Sequence, residues 1–329
     1  RGLVMHYRRL GNSGLKVSWL SFGSWVTFAN QMQLDNATEC LKYAYDQGIN
    51  FFDNAEVYAA GESEVIMGQS LKSLGLSRDS YCVSSKVFWG GEQPTQRGLS
   101  KKHIHDACHN ALKRLQVDYL DLYFCHRPDP ETPILETVLA MNDLITQGKI
   151  LYWGTSEWKP DDLQAAYDYA KEYTLRPPTM EQPEYNLFNQ HNLNQNLKPF
   201  IQKQGLGTTI WSPLCSGWLT GKYQNGIPDK SRFGLSGYDW LKQRYESEEG
   251  KRRINIVNKL LELAKSYQLS LTQLSIAWCL KNELVSTVIL GASNIDQLKE
   301  NITSQALVER LDDELMNKIA TIVQESNAM

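Results

Sequence analysis

Several signals that place a protein at first reading are missing from this sequence, and each absence removes a class. Six cysteines are present, Cys40, Cys82, Cys108, Cys125, Cys215 and Cys279, but no two form a C-x-x-C pair, and most fall within apolar runs. They read as reduced core residues of a cytoplasmic protein, not as a disulfide framework or a zinc site. No apolar run approaches the ~18 residues of a membrane span, and the start has no charged-then-apolar leader pattern. Charge of one sign is scarce too: 34 basic residues face 37 acidic ones for a net −3, with the signs interspersed. No basic face for nucleic acid or an anionic membrane is therefore expected. Nucleotide fingerprints are also wanting. "SFGSWVTF", after the first strand-like run, has one glycine and no G-x-G-x-x-G, and Gly205-Leu206-Gly207 precedes a strand and lacks a third glycine. "GWLTGKY" is one residue short of a phosphate loop before Gly221-Lys222 and has no Ser or Thr after it.

What is present is a chain of 329 residues, 42% hydrophobic, enough for one sizeable core. Met5 is expected to be the native start, with residues 1–4 a cloning remnant and 5–329 a single domain. A hairpin is expected around Gly11–Gly14. Apolar strand-like runs follow at Leu20–Gly23, Asn50–Asp53, Tyr81–Lys86, Tyr119–Cys125, Ile150–Ser156, Thr179–Pro183, Gly207–Trp211 and Thr287–Leu290. Between them lie helical patterns, such as Ala37, Cys40, Leu41, Ala44 and Ile254, Val257, Leu261, Ala264. Gly48, Gly148 and Gly205 stand where helices should end. This alternation predicts an α/β fold, a (β/α)8 TIM barrel with an N-terminal β-hairpin. The connection from Ser212 to about Gly250 has almost no period. It follows the seventh strand, on the face where barrels keep their active sites, and is expected to be a functional lid or disordered.

A barrel gathers strand ends that are far apart in sequence. Asp53 ends the second strand, Lys86 the third, His126 follows the fourth, and Tyr58 lies in the loop after Asp53. Together they make a proton-transfer unit. A free tyrosine titrates near about 10, so as an acid–base group at neutral pH it needs a nearby cation. Lys86 supplies that cation, Asp53 holds the ammonium, and His126 orients a carbonyl oxygen near the phenol. The bland alternative is a helix-capping Asp, a solvated Lys, a surface Tyr and a loop His. The convergence of four such residues at three successive strand ends argues against it. Trp25, Trp89, Phe88 and Tyr58 would give the mouth an aromatic lining suited to apolar or aromatic aldehydes. His105 and His109, four apart on a helix with Cys108 and His103 nearby, are a weak metal candidate. They have no recognisable motif, and no metal is expected.

The stretches "GLKVSWLSFGSWVTF", "NFFDNAEVYAAG", "SSKVFWGG", "GLSKKHI", "YWGTSEW", "WSPLCSGWLTGKY" and "LSIAWCLKN" occur in this order. From about Tyr7 to Ile302 the sequence resembles the aldo-keto reductase superfamily, and within it the group of shaker-type potassium-channel β subunits and their plant and bacterial relatives. The resemblance implies a (β/α)8 barrel that binds NADPH in extended form and reduces aldehydes or ketones. Its catalytic tetrad maps onto Asp53, Tyr58, Lys86 and His126, with Tyr58 the proton donor. Its cofactor contacts map onto Ser24, Trp25, Gln31 and Asp53 at the mouth, onto Ser156 and Gln182 at the carboxamide, and onto Trp211 against the ring. Ser212, Pro213, Leu214 and Ser216 would follow the pyrophosphate under Lys222 and Arg232. Gly291, Ser293, Gln297, Glu300 and Asn301 would take the adenosine end.

Two departures bear on function. Where many relatives place an arginine on the adenosine 2′-phosphate this chain has Gln297, which leaves NADPH preference to Ser293, Lys222 and Arg232. Animal channel subunits, which are slow enzymes, commonly have asparagine at the position of His126. Histidine favours a working reductase of small-molecule carbonyls. The competing reading is an accessory, redox-sensing subunit docked on a potassium-channel cytoplasmic domain. In either case the resemblance implies a homotetramer without membrane insertion.

Overall fold

The computed structural model describes residues 4–24, 31–226 and 239–325. Two short strands, β1 (Tyr7–Arg9) and β2 (Lys16–Ser18), pair antiparallel with Arg9 opposite Lys16. This is the expected hairpin. Eight parallel strands then close a barrel: β3 (Leu20–Gly23), β4 (Phe51–Asp53), β5 (Cys82–Val87), β6 (Leu120–Cys125), β7 (Ile150–Thr155), β8 (Met180–Glu181), β9 (Gly207–Ile210) and β10 (Thr287–Leu290), with β10 returning to β3. The expected (β/α)8 barrel is the observed fold.

Strands covered on both faces carry near-continuous apolar runs, and alternate side chains divide between barrel interior and helix layer. Phe51, Cys82, Leu122, Phe124, Met180 and Ile289 fill the interior. Their neighbours Phe52, Val83, Tyr123 and Cys125 pack outward against helices. In α1 (Gln31–Asp46) the expected stripe of Ala37, Cys40, Leu41 and Ala44 is buried. In α8 (Glu248–Ser266) the buried face is instead Ile256, Val257, Leu260 and Ala264, with Ile254 and Leu261 only partly covered, a rotation of the predicted stripe. The outer layer also includes α2 (Glu62–Leu74), α3 (Lys101–Leu115), α4 (Ile134–Thr146), α5 (Pro160–Glu172), α6 (Lys198–Gln204), α7 (Asp239–Glu246), α9 (Leu271–Lys281), α10 (Ile295–Thr303) and α11 (Asp313–Glu325).

The hairpin decides which end of the barrel stays open. Leu10, at its turn, is fully buried in the interior cluster. Asn12 N–H donates to Gly205 O at 2.9 Å. Gly11 adopts φ +57°, and a Cβ there would lie 2.1 Å from Gly205 O, so only glycine fits. Gly205 ends α6 just before β9, so the hairpin plugs the N-terminal end and leaves the C-terminal end for the site.

Strand bounds differ from expectation at their ends. Asn50 lies outside β4 because its side chain ties the hairpin, accepting from Ser18 N–H at 2.9 Å and donating to Lys16 O at 3.0 Å. Tyr81 likewise precedes β5, which runs one residue further to Val87. The strand expected over Thr179–Pro183 shortens to two residues, although single bonds from Gly207 N–H to Thr179 O and from Trp211 N–H to Pro183 O continue its line. Ser156 lies beyond β7, and Trp211 beyond β9 in an isolated bridge with Glu184. The long connection after β9 contains a short 3-10 turn at Trp218–Thr220 and then α7. Its expected lid segment, with Arg232, lies partly outside the described residues. So does Trp25.

Candidate active site

Four side chains meet at the C-terminal mouth. Lys86, near the end of β5, is fully buried, and its Nζ donates to Asp53 Oδ2 at 2.6 Å, to Asn54 O at 2.8 Å and to Tyr58 OH at 3.3 Å. A second oxygen of Asp53 accepts from Ser84 Oγ at 2.6 Å. Gln182 Nε2 points the same way, 3.5 Å from Asp53 Oδ1 and 3.2 Å from Thr209 Oγ1. Tyr58 opens a 3-10 turn in which Ala59 and Ala60 both take left-handed conformations, φ 49° and 53°. Alanine has no intrinsic reason to sit there, and such strain collects where neighbouring structure dictates a side chain's aim. Tyr58 is only partly buried. His126 follows β6, its backbone N–H donating to Val87 O at 2.9 Å. Its ring stands edge-on to Tyr58 with centroids 5.9 Å apart, and 5.1 Å from Trp89.

The electrostatics follow from burial and neighbours. Burial alone would depress the Lys86 ammonium, but the Asp53 carboxylate and Tyr58 outweigh it, and the pKa is raised. Lys86 is therefore a fixed cation touching the phenol. For His126 everything acts in one direction: burial first, then the cations of Lys86 and Arg127, push it down to about 2. The imidazole is neutral at any working pH, able to donate one hydrogen bond without carrying charge. Its Nδ1 is buried and has no hydrogen-bond partner among the described residues.

Other unpartnered polar atoms mark the same end of the barrel. Ser24 Oγ, just after β3, and both side-chain heteroatoms of Asn54, just after Asp53, are buried without partners among the described residues. Buried polar groups are rarely left so, and a bound polar ligand would satisfy them. Ser156 Oγ donates to Gln182 O at 2.7 Å, which fixes these two neighbours to each other. Trp211 is half-buried and its indole N–H donates to Glu157 Oε1 at 3.1 Å. Immediately after it, Ser212, Cys215, Ser216 and Gly217 have positive φ and wind the chain into a tight loop with Pro213 and Leu214. Lys222 lies over that loop, so close to Gly217 that a Cβ there would meet Lys222 Cε at 2.4 Å. Coiled backbone beneath an ammonium suits a phosphate.

At the far end, Gly291 has open space where a Cβ would be. Ser293 and Gln297 are bound to each other, Ser293 N–H and Oγ–H donating to Gln297 Oε1 at 3.0 and 2.8 Å. Asn294 caps α10 by accepting from Gln297 N–H at 2.9 Å. Glu300 is exposed and Asn301 buried on the same helix. Gln31 begins α1, but its side chain lies outside the described residues, as do Trp25 and Arg232. The buried orphan atoms at the mouth and the open space at Gly291 leave room and hydrogen-bonding capacity for a nicotinamide cofactor.

Sequence reasoning passed over several neighbours of these residues. Asn54, Ser84 and Arg127 each sit beside a chosen residue, and adjacency was the only signal available. Glu157 and the fully buried Glu181 were missed because nothing in the sequence shows which way a strand-end carboxylate points. Glu181 Oε1 accepts from Thr155 Oγ1 and Trp158 N–H, and its Oε2 has no partner. The four residues of the weak metal candidate go separate ways. His103 is buried, 3.1 Å from Glu56 Oε1 and 2.7 Å from Gly98 O, while His105 and His109 stack on an exposed face and Cys108 is buried. Among the described residues no three metal-ligating groups converge.

The model of the Aldo/keto reductase family matches residues 19–324. A protein of Oryza sativa subsp. japonica, named as a probable voltage-gated potassium channel subunit beta, is 47% identical over 321 residues, covering 97% of this chain and 97% of that protein.

Proposed function

The chain belongs to the aldo/keto reductase family, an oxidoreductase family that uses nicotinamide cofactors, and on that premise we propose that it reduces aldehydes or ketones to alcohols with NADPH. The observation that carries this is the Lys86 ammonium held between the Asp53 carboxylate and the Tyr58 hydroxyl. Ser24, Gln31, Asn54, Ser156, Gln182, Trp25 and Trp211 would hold the nicotinamide end. The loop Ser212–Ser216 with Lys222 and Arg232 would hold the pyrophosphate, and Gly291, Ser293, Gln297, Glu300 and Asn301 the adenosine. When bound, the cofactor supplies a hydride to the carbonyl carbon.

This chain's own residues do the rest. Neutral His126 donates a hydrogen bond to the carbonyl oxygen and sets its direction towards the phenol. Tyr58 delivers the proton to that oxygen. Lys86, fully buried, stabilises the phenolate left behind, and Asp53, fixed by Ser84, keeps the ammonium from drifting. Trp89 and Phe88 wall the mouth and exclude water. The protein acts as one cytoplasmic domain over 5–329, assembled as a homotetramer. Preference for NADPH over NADH rests on Ser293, Lys222 and Arg232.

The name of the rice relative supports a second reading, an accessory subunit that docks on a potassium-channel cytoplasmic domain. Among the described residues no helix is long and apolar enough to cross a membrane, so the contact would be with a channel's soluble part. His126 in the tetrad favours turnover as the primary role. The test is titration with NADPH followed by addition of an aldehyde. NADPH should quench tryptophan fluorescence through Trp211, and 4-nitrobenzaldehyde should be reduced near the typical enzyme rate of about 10 per second. Binding of neither NADPH nor NADH would overturn the cofactor assignment. Turnover on a scale of minutes, with capture of a channel cytoplasmic domain, would favour the accessory role.

A further inference from the structure

Arg127 follows His126 and has no part in the proton transfer just described. It is half-buried at the mouth, its Nη1 donating to His126 O at 2.5 Å and to Ser156 Oγ at 3.2 Å, while Nε and Nη2 have no hydrogen-bond partner among the described residues. The guanidinium carbon stands 5.6 Å from the ring centre of Trp89 and 5.7 Å from that of Trp211. Two indoles thus lie within cation–π reach of the guanidinium, which helps to fix its place.

Among the described residues the neighbouring loops bring no carboxylate into ion-pair contact with it. Glu157 Oε1 accepts from Trp211 Nε1–H at 3.1 Å and from Glu184 N–H at 2.7 Å. Asp129 is occupied by Leu99 N–H, Glu131 N–H and Thr132 Oγ1. Glu181 is wholly buried, with Oε1 bound to Thr155 and Trp158; the charge of Arg127 acts on it, but among the described residues no hydrogen bond or ion pair joins the two. Among the described residues no carboxylate pairs with Arg127. An unpaired arginine with a free edge, beside a catalytic imidazole, is a receptor for an anion, because its planar fork matches a carboxylate in two parallel hydrogen bonds. Trp89 spans the gap, touching His126 on one side and Arg127 on the other. The anion is not a cofactor phosphate, since the coiled loop after Trp211 has its own cation in Lys222.

We propose that Arg127 determines substrate class: it receives a carboxylate at the far end of a flat aldehyde whose carbonyl reaches Tyr58 and His126, while the ring between lies along Trp89. This rests on the reductase reading and narrows it to carboxylated carbonyl substrates.

The test compares 4-carboxybenzaldehyde with 4-methylbenzaldehyde, of similar shape and no charge, in the NADPH-loaded full chain and in its Arg127→Met and Arg127→Lys variants. The readout is the ratio of the two kcat/KM values, in which losses through Ser156 or the fold cancel. Charge-assisted hydrogen bonding predicts that Arg127→Met lowers this ratio by about ten- to a hundredfold, mostly through KM, and that Arg127→Lys keeps part of it. The preference should also shrink with added salt. A ratio unchanged in Arg127→Met overturns the proposal. In parallel, calorimetry measures binding of 4-(hydroxymethyl)benzoate and 4-methylbenzyl alcohol to the NADP+ complex. Absence of turnover with any aldehyde would sink the reductase reading, yet Arg127-dependent preference for the carboxylated alcohol would still support the anion receptor. Equal binding of the two alcohols by wild type and Arg127→Met would refute it.

Discussion

Lys86 and Glu181 are both sealed from water and differ in what they are given there. Lys86 has a carboxylate at 2.6 Å and keeps its charge. Glu181 has two weak donors on one oxygen and none on the other, and burial, reinforced by the like charge of Glu157, pushes it up to about 8. A carboxyl raised in this way keeps its proton in the folded state after the unfolded chain has lost it. Its contribution is thus present below the ordinary value of 4.5 and is lost as pH rises towards about 8. Replacing Glu181 by Gln leaves the acceptor for Trp158 N–H and cancels that loss. Relative to wild type, Glu181→Gln should gain roughly 3–5 kcal/mol of unfolding free energy between pH 4.5 and pH 8. Denaturant unfolding across that range measures it. A difference that stays flat with pH would show that Glu181 titrates normally.

At the scale of elements, the hairpin plugs the barrel end opposite the chemistry. Leu10 is its only fully buried apolar contribution to the interior cluster. Truncation to Ala should cost about 2–5 kcal/mol, the usual range for a buried leucine whose cavity cannot collapse. It should leave NADPH affinity within about threefold, a shift of less than ~0.7 kcal/mol. Loss of binding in a folded Leu10→Ala protein would mean that the plug shapes the mouth as well as the core. Elements of this kind are also where sequence was most readable. The run Thr287–Leu290 and the glycines at 48, 148 and 205 lie where the apolar pattern and turn chemistry put them, because these are local signals. Asp53, Lys86 and His126 were legible for the same reason, as polar residues interrupting or ending apolar strands. Arg127, Glu157 and Glu181 were not. Their roles depend on which face of a strand end they leave and on which partners other loops bring, and a linear pattern carries neither. The two-residue β8 was overdrawn because apolar content continues past the point where regular pairing stops.

For the whole molecule, the barrel matters as a device that brings residues from β4, β5 and β6, and the loops after them, to one mouth while sealing the other end. The cation fixed by Asp53 lies against the phenol, a neutral imidazole faces it edge-on, and buried orphan atoms line the place where a ligand would sit. The central claim is that this assembly moves a proton from Tyr58 in the step that reduces a carbonyl. Single-turnover stopped-flow of the NADPH-loaded protein mixed with 4-nitrobenzaldehyde, wild type against Tyr58→Phe, isolates that step. The substitution removes one hydroxyl, so NADPH affinity should stay nearly the same while the rate falls about a hundred- to ten-thousandfold, roughly 3–5 kcal/mol of barrier. A folded Tyr58→Phe protein that oxidises NADPH at the wild-type rate would contradict the account.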